Sequence, residues 1–536
     1  MLRLADFEKP FYGLSPRGSA GKPLTVTVIV VAMNLRKWPE PVLTATDLET
    51  VIFGPGGSVA EWIEEMSQGR LLLVPHPTVP VLGPRWSSYD YRFYYREGPW
   101  SPGALAEDSP HRWVDAGGVY GEKGRVWYLD DDGYVGGHSH SWGEMLRAVD
   151  ADPRISLSSY DTDKDGSLAP TECLFLLVKN QAATRGFRRP VFASEVPLPA
   201  KKLGLDGVHI ANIAELYAAP PHGWVDVAAA GEELLHLAAD LDDQYPDTGR
   251  PQPPPPYRTD DDPGRPGQYS ISDAGGRPVH VDPYHKLKWG WLNPQLADAT
   301  GTYTLGPAAT TGDALILANP HVGTREFFIV ENRWRGASYD QHRDKACGDG
   351  LAVWHCIQDP SLADNWARRA VHLRRADPRL GATGLPQDER VLFDGSAPGR
   401  GYDLHDDSTP TNLRFRDGSP SRLAIRAIPP AAETMTIHVT VPPEPGSVAV
   451  AVGRVSRLRV HERGTGYGVP GRRLPQDCVV SVDSEPGGTF GIDLGGPEGR
   501  WMFDLVSEAF ARGEPVRLEY RAQTADGGEV LRVLRA

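Results

Sequence analysis

No apolar run in this 536-residue chain approaches 18 residues, so no segment reads as a membrane-spanning helix. Cysteine is scarce. Cys173, Cys347, Cys356 and Cys478 are widely spaced, include no C-x-x-C pair, and read as reduced, buried thiols rather than a disulfide framework. There is no basic stripe, and a formal net charge of −14 argues against a phosphate backbone as partner, so no nucleic acid is expected. The opening stretch, MLRLADFEKPFYGLSPRGS, lacks an apolar core and is broken by Asp6, Glu8 and Lys9. It does not read as a signal peptide, which predicts a cytoplasmic protein unless export follows a non-classical route. No internal repeat is present.

What is present is ordinary globular matter: 40% hydrophobic residues, 24% charged residues and 14 Trp, enough for two to four domains. LTVTVIVV, from Leu24 to Val31, is β-branched and long enough for a buried central strand. Val59–Met66 has helical spacing and stops before Gly69, after which Leu71–Val74 resumes as a strand. Residues 85–135, rich in Trp, Tyr, Gly and Asp without periodicity, predict irregular structure. Trp142–Val149 predicts a helix, Cys173–Val178 a buried strand, and Val225–Leu241 a helix with Val227, Leu234, Ala238 and Leu241 as its apolar stripe. The Pro-rich, acidic stretch 246–267 reads as a lid, a tether or, by preference, a disordered segment. From about residue 300 the texture turns β-rich, 442–447 reads as a linker, and the last ~90 residues read as a small β-rich module with one helix near Arg500–Arg512.

Two stretches carry chemistry. Asp161-Thr-Asp163-Lys-Asp165-Gly166-Ser167-Leu168-Ala-Pro-Thr-Glu172 matches the twelve-residue EF-hand loop. Asp161, Asp163 and Asp165 supply oxygens at positions 1, 3 and 5, Gly166 permits the turn, Ser167 follows, and Glu172 stands at the bidentate position. The segment after Glu172, CLFLLV, is a strand by composition, so a structural calcium staple is expected rather than a sensor. The second stretch, GEELLHLAADLDDQY, approaches the zinc-peptidase pattern H-E-x-x-H, in which two His ligands one turn apart flank a general base. Here Glu232-Glu233-Leu234-Leu235-His236 puts a carboxylate where the first ligand would be. The plain alternative is an exposed helix face carrying an i, i+4 charged pair, worth about 0.2–0.5 kcal/mol.

These pieces, with LTVTVIVVAMN, VHVDPYHKLKWGWLNP and REFFIVENRWRGASYD…GDGLAVWHCI in the same order, resemble the immune inhibitor A family of bacterial metallopeptidases over about residues 20–440. The resemblance implies an α+β architecture. A zincin-like domain with the calcium loop would cover 21–300 after an N-terminal segment 1–20, a sandwich-like β-rich subdomain 301–441, and an accessory module 448–536. It also implies a helix reading H-E-x-x-H-x-x-G-x-x-D over a Met-turn. Carried over, Glu232 takes the first metal-ligand place, Glu233 that of the catalytic base, His236 the second ligand and Asp242 the third. Three positions depart: Glu232 for His, Ala239 for Gly, and Ser272 where the Met-turn would put Met.

Zinc accepts carboxylate oxygen, but two anionic ligands blunt the Lewis acidity that activates bound water. They also move preference towards harder ions. Two readings follow. One is a metallopeptidase fold that is catalytically silent or impaired, a pseudoenzyme binding a protein partner. The other is an active metal-dependent endopeptidase using Glu232, His236 and Asp242, with Glu233 as base and a protein or peptide as substrate. Calcium is the expected structural cofactor, and zinc belongs to the second reading. His280, Tyr284 and His285 are candidates for the cleft, though a structural role is the commoner one. His355 is expected as a core histidine, and His138 and His140 as part of a glycine-flanked loop.

Overall fold

Strand β1 (Leu24–Arg36) organises the first half of the chain through its alternation. Val26, Val28, Val30 and Ala32 enter one apolar cluster, and Ile29, Val31, Met33 and Leu35 enter another on the opposite face. A β-branched strand buried on both faces belongs at the centre of a parallel sheet. β1 pairs in parallel with β2 (Leu71–Pro75) along its first half and with β3 (Val81–Asp90) along its second. Its other edge pairs in parallel with β4 (Cys173–Lys179), which pairs in parallel with β5 (Ala214–Tyr217). This is a computed structural model. It describes residues 2–7, 22–36, 43–90, 112–115, 126–129, 138–180, 205–210, 213–217, 227–239, 241, 266–274, 279–334, 348–358, 370–377, 391–461, 478–485, 487–524 and 527–536.

Parallel strands need crossover connections, and helices cover both faces of the sheet. α1 (Ala45–Phe53), α2 (Val59–Met66) and α4 (Val227–Ala239) lie on the even-numbered face of β1. α3 (His138–Asp150) lies on the odd-numbered face, with Leu157 and Leu168 from either side of the acidic loop. α1 is capped by Thr44, which accepts from the Asp47 N–H, and α2 by Ser58, which accepts from the Glu61 N–H. The expected irregular texture of 85–135 is corrected in part. Residues 81–90 are a strand on β1, and Arg112–Asp115 pairs with Val126–Leu129. Aromatic residues serve as strand formers there without the alternation that would have announced them. The loop expected around His138 and His140 is the first turn of α3.

The chain then builds a two-sheet β region. β6 (Asn293–Leu296), β8 (Asp313–Leu317), β9 (Glu326–Arg333), β10 (Gly350–Ile357) and β11 (Val371–Arg374) form one sheet. β7 (Gly301–Leu305), β13 (Met435–Thr440) and β12 (Ala424–Arg426) form the other. Phe328, Val330, Leu351 and Val353 face the second sheet, whereas Phe327, Ile329, Ala352 and Trp354 join the cluster that contains the even-numbered face of β1. The packing is therefore continuous across residue 300, because β9 and β10 are apolar on both sides. Asn332 ties this region together, its amide donating to the carbonyls of Ala432 and Glu433 at 3.0 Å each.

The last module is a closed barrel of β14 (Val448–Val460), β15 (Cys478–Val482), β16 (Thr489–Ile492), β17 (Pro515–Thr524) and β18 (Gly527–Arg535). Its order is β14-β15-β16-β18-β17, with β16 and β18 parallel and α6 (Pro497–Arg512) between the third and fourth strands. That is the topology of an OB-type barrel. α6 begins with Pro497 and ends at Gly513, whose φ of 64° is the left-handed stop expected of glycine there. Helices and strands are thus mixed in the first half and the remainder is β-rich.

The sharpest packing constraint is at Gly231, inside α4. A Cβ there would lie 2.1 Å from Cζ3 of Trp62, a ring that is fully buried on α2. Glycine inside a helix normally costs about 1 kcal/mol relative to alanine, so its presence here reflects close approach. Gly231→Ala is expected to destabilise by about 1–3 kcal/mol, against the helix-propensity trend, through overpacking. Thermal or denaturant unfolding of the variant beside wild type reads the sign.

Candidate metal centres

α4 is apolar almost all round, which explains why it is buried rather than amphipathic. Glu232 is 1% and Glu233 5% exposed, while His236 is half-buried. The exposed-face alternative is therefore corrected: both carboxylates point into protein, because the Ala- and Leu-rich positions around them leave no solvent face. Glu232 and His236 lie one turn apart, and the His236 ring is held by its Nδ1, which bonds the Leu241 carbonyl just past the helix end. Nε2 is thereby presented as the acceptor nitrogen, and it is buried. Asp242 and the Pro-rich residues 246–265 lie outside the described residues, as does Cys347. Among the described residues no third His, Cys, Asp or Glu joins Glu232 and His236 in a metal-sized cluster. These two donors alone do not make a zinc site.

Beneath this helix the expected Met-turn is a polar turn. Ser272 is fully buried, and its hydroxyl lies 2.8 Å from that of Ser270. Ser270 donates to Asp282 Oδ2 at 2.9 Å and accepts from the Asp282 N–H at 3.1 Å. Asp282 also caps α5 (Pro283–Trp289), accepting from the His285 N–H, and meets the His285 ring at 2.8 Å. Burial of Asp282 works against ionisation, but His285 and the hydrogen bonds from His285 and Ser270 hold its carboxyl below the usual range. A second chain runs beside it: Glu65 Oε1 lies 3.3 Å from His280 Nε2, and Lys286 Nζ lies 3.1 Å from His280 Nδ1. The structure gives His280 and His285 these bonding roles in the floor. The Asp-Pro pair with Gly290 at φ 71° announces the short helix. Nothing local in the sequence announces the bond from Ser270 across twelve residues.

The acidic loop is the one cluster of three or more such groups among the described residues. The carboxylates of Asp161, Asp163 and Asp165 offer oxygens within 4.8 Å of one another. Gly166 has φ 84°, as the sharp turn requires, and its N–H donates to Asp161 Oδ2 at 3.0 Å. The other oxygen, Asp161 Oδ1, is buried without a hydrogen-bond partner. An orphaned buried carboxylate oxygen among three aspartates is what a hard cation satisfies, so these residues fit calcium. Ser167 lies beside them, its N–H donating to Asp165 at 2.7 Å. Glu172 is placed differently from the expected bidentate role. Its Oε1 accepts from the Thr162 N–H and hydroxyl, each at 2.6 Å, and Oε2 from the Ala169 N–H at 3.0 Å. Its lone pairs therefore close the loop onto itself instead of meeting the three aspartates. Burial pushes the Glu172 carboxyl up, but the hydrogen bonds from Thr162, Ala169 and Asp163 outweigh it and hold it below its ordinary value.

His355 is a core histidine, as expected. Its Nε2–H donates to Glu326 at 2.6 Å and its Nδ1 accepts from Arg374 at 2.9 Å. Burial, then Arg374, hold the ring well below its ordinary pKa, and so neutral. Cys173, Cys356 and Cys478 are buried thiols. No protein-family model and no curated protein matches this chain.

The loop yields a two-part prediction. Glu172→Ala should lower stability by about 0.5–1.5 kcal/mol even in chelator, because it removes the acceptor for the Thr162 and Ala169 N–H groups that close the loop. In wild type the same contribution is present at neutral pH and fades as pH falls below the ordinary glutamate range through the depressed folded value. Asp163→Ala should leave stability in chelator unchanged and abolish the rise in Tm on adding calcium, about 2.7 kcal/mol at a hundredfold excess over Kd. Calorimetry with and without calcium checks both.

Proposed function

We propose that the chain is a metallopeptidase-type scaffold, akin to the immune inhibitor A family it resembles, without a working peptidase centre. It binds a protein or peptide and does not cut it. The observation that carries this reading is the interior carboxylate of Glu232, 1% exposed, at the first-ligand position of α4. An interior carboxylate there removes the neutral donor that a water-activating zinc ion needs, and beside a second acidic ligand it would largely cancel the metal's charge. The polar floor of Ser270 and Ser272 in place of a thioether supports the same reading. Calcium in the acidic loop would be structural, held by Asp161, Asp163 and Asp165 and stiffening the turn that leads into β4.

One observation favours the alternative, an active metal-dependent endopeptidase. The His236 ring is anchored through Nδ1 to a backbone carbonyl, the arrangement that orients a metal-binding imidazole. In that case Glu233, also buried, would take the proton from the attacking water.

Metal analysis and peptide cleavage separate the two. Purified wild type is expected to hold calcium, less than a tenth of an equivalent of zinc, and no activity on casein. Glu232→His is expected to acquire one equivalent of zinc. Stoichiometric zinc in wild type, with casein cleavage that falls about 10²–10⁴-fold in Glu233→Gln, would establish the active enzyme instead.

A further inference from the structure

Among the described residues, eight of the nine exposed large apolar side chains lie in the C-terminal barrel, Trp86 being the exception. Six of the eight lie on two strands of the barrel, Val460 at the far end of β14 and the other five closer together. Val448, Val450 and Val452 stand in a row on β14, exposed by 63%, 42% and 45%, and Leu531 and Leu534 lie on β18. The strand between them carries charge in register: Val448 is opposite Arg521, Val450 opposite Glu519 and Val452 opposite Arg517. Across β17, Arg521 faces Glu529, Glu519 faces Arg532 and Arg517 faces Leu534. Scattered exposed valines need no explanation, but an unbroken outward row of three, with two leucines one strand further on, is the composition of a face that packs on another sheet.

The charges on this face decide what would cover it. Arg517–Glu519, Arg521–Glu529 and Arg532–Glu519 pair at 3.4, 3.3 and 3.8 Å, so both signs alternate across the surface. A ligand of one sign would meet like charge beside every opposite one. A surface with the same alternation would not. The barrel as a whole, residues 448–536, carries twelve Arg, no Lys and twelve Asp plus Glu, whereas the full chain carries −14. The barrel is thus where two copies of this acidic chain approach without net repulsion.

We propose that the outer face of β14, β17 and β18 is a self-association surface, on which two copies of the chain pack valine row on valine row about a two-fold axis. The isologous contact buries both rows, and the arginine–glutamate pairs of the adjoining strand re-pair with those of the other copy, where they set orientation more than affinity.

Sedimentation velocity of the full chain over about 1–100 μM tests it. Wild type is expected to reach dimer mass within that range, and Val450→Glu/Val452→Glu to stay monomeric with an unchanged Tm. Val448→Lys, at the most exposed position of the row, is a second variant that folds independently of the others and should weaken the dimer at least tenfold. Trp501→Ala, on α6, should leave it intact. A wild-type monomer at every concentration overturns the proposal, and so does a dimer indifferent to Val448→Lys. A monomer that instead co-sediments with vesicles of phosphatidylglycerol and phosphatidylcholine, and loses this with Val448→Lys, overturns it in favour of a lipid surface.

Discussion

The seat of α4 against Trp62 governs the rest of the first domain. Gly231 lets the helix approach the ring more closely than any side chain would allow, and that contact fixes the helix's rotation. At about 100° per residue, Glu232 and His236 then fall within about 40° of each other, turned from the ring. The flanking Ala and Leu positions bury the remaining sides. A helix held this way cannot rotate to bring another residue to the place of Glu232. Glu232 is therefore held with its side chain inside the protein.

The buried carboxyl groups of α4 lie close to a polar turn. Ser272, Ser270, Asp282 and His285 form a continuous hydrogen-bonded chain under the helix; beside it Lys286 Nζ meets His280 Nδ1, and the other ring nitrogen lies 3.3 Å from Glu65 Oε1. Buried polar networks stabilise only when their members are satisfied, and a partly satisfied one is worse than an apolar core. Asp282 meets that demand economically: one carboxylate caps α5, accepts from Ser270 and orients His285. The polar groups under α4 are thereby a hydrogen-bonded part of the core.

Much of this was legible in the sequence wherever the information is local. The helical spacing of Val59–Met66 announced α2 at its observed bounds, the β-branched run from Leu24 announced the start of β1, and the helix expected near Arg500–Arg512 is α6, which begins three residues earlier. The burial of Glu232 and Glu233 was legible too, had the whole helix been weighed: VAAAGEELLHLAA is apolar on every side, and such a helix is buried. Reading a single stripe concealed it. Other features depend on distant residues. The closure of the barrel by β16 and β18, the shared core that runs from β1 to Trp354, and the bond from Ser270 to Asp282 leave no periodic trace. The acidic loop lies between these cases. Its spacing placed Asp161, Asp163 and Asp165 together, but the donors that claim Glu172 are backbone N–H groups, on which side-chain spacing is silent.

That placement of Glu172 bears on what an ion held by the three aspartates would do. In a sensor the last carboxylate is drawn onto the ion, and its movement swings a following helix. Here it is already spent on Thr162 and Ala169, so the turn is formed before any ion arrives. The residue after it, Cys173, is the first of β4 and is paired with Thr27 of β1. Whatever the ion contributes therefore passes into the register of the central parallel pair, which has no second arrangement to adopt. A preformed loop joined to a rigid strand adds stability when it binds and transmits no motion.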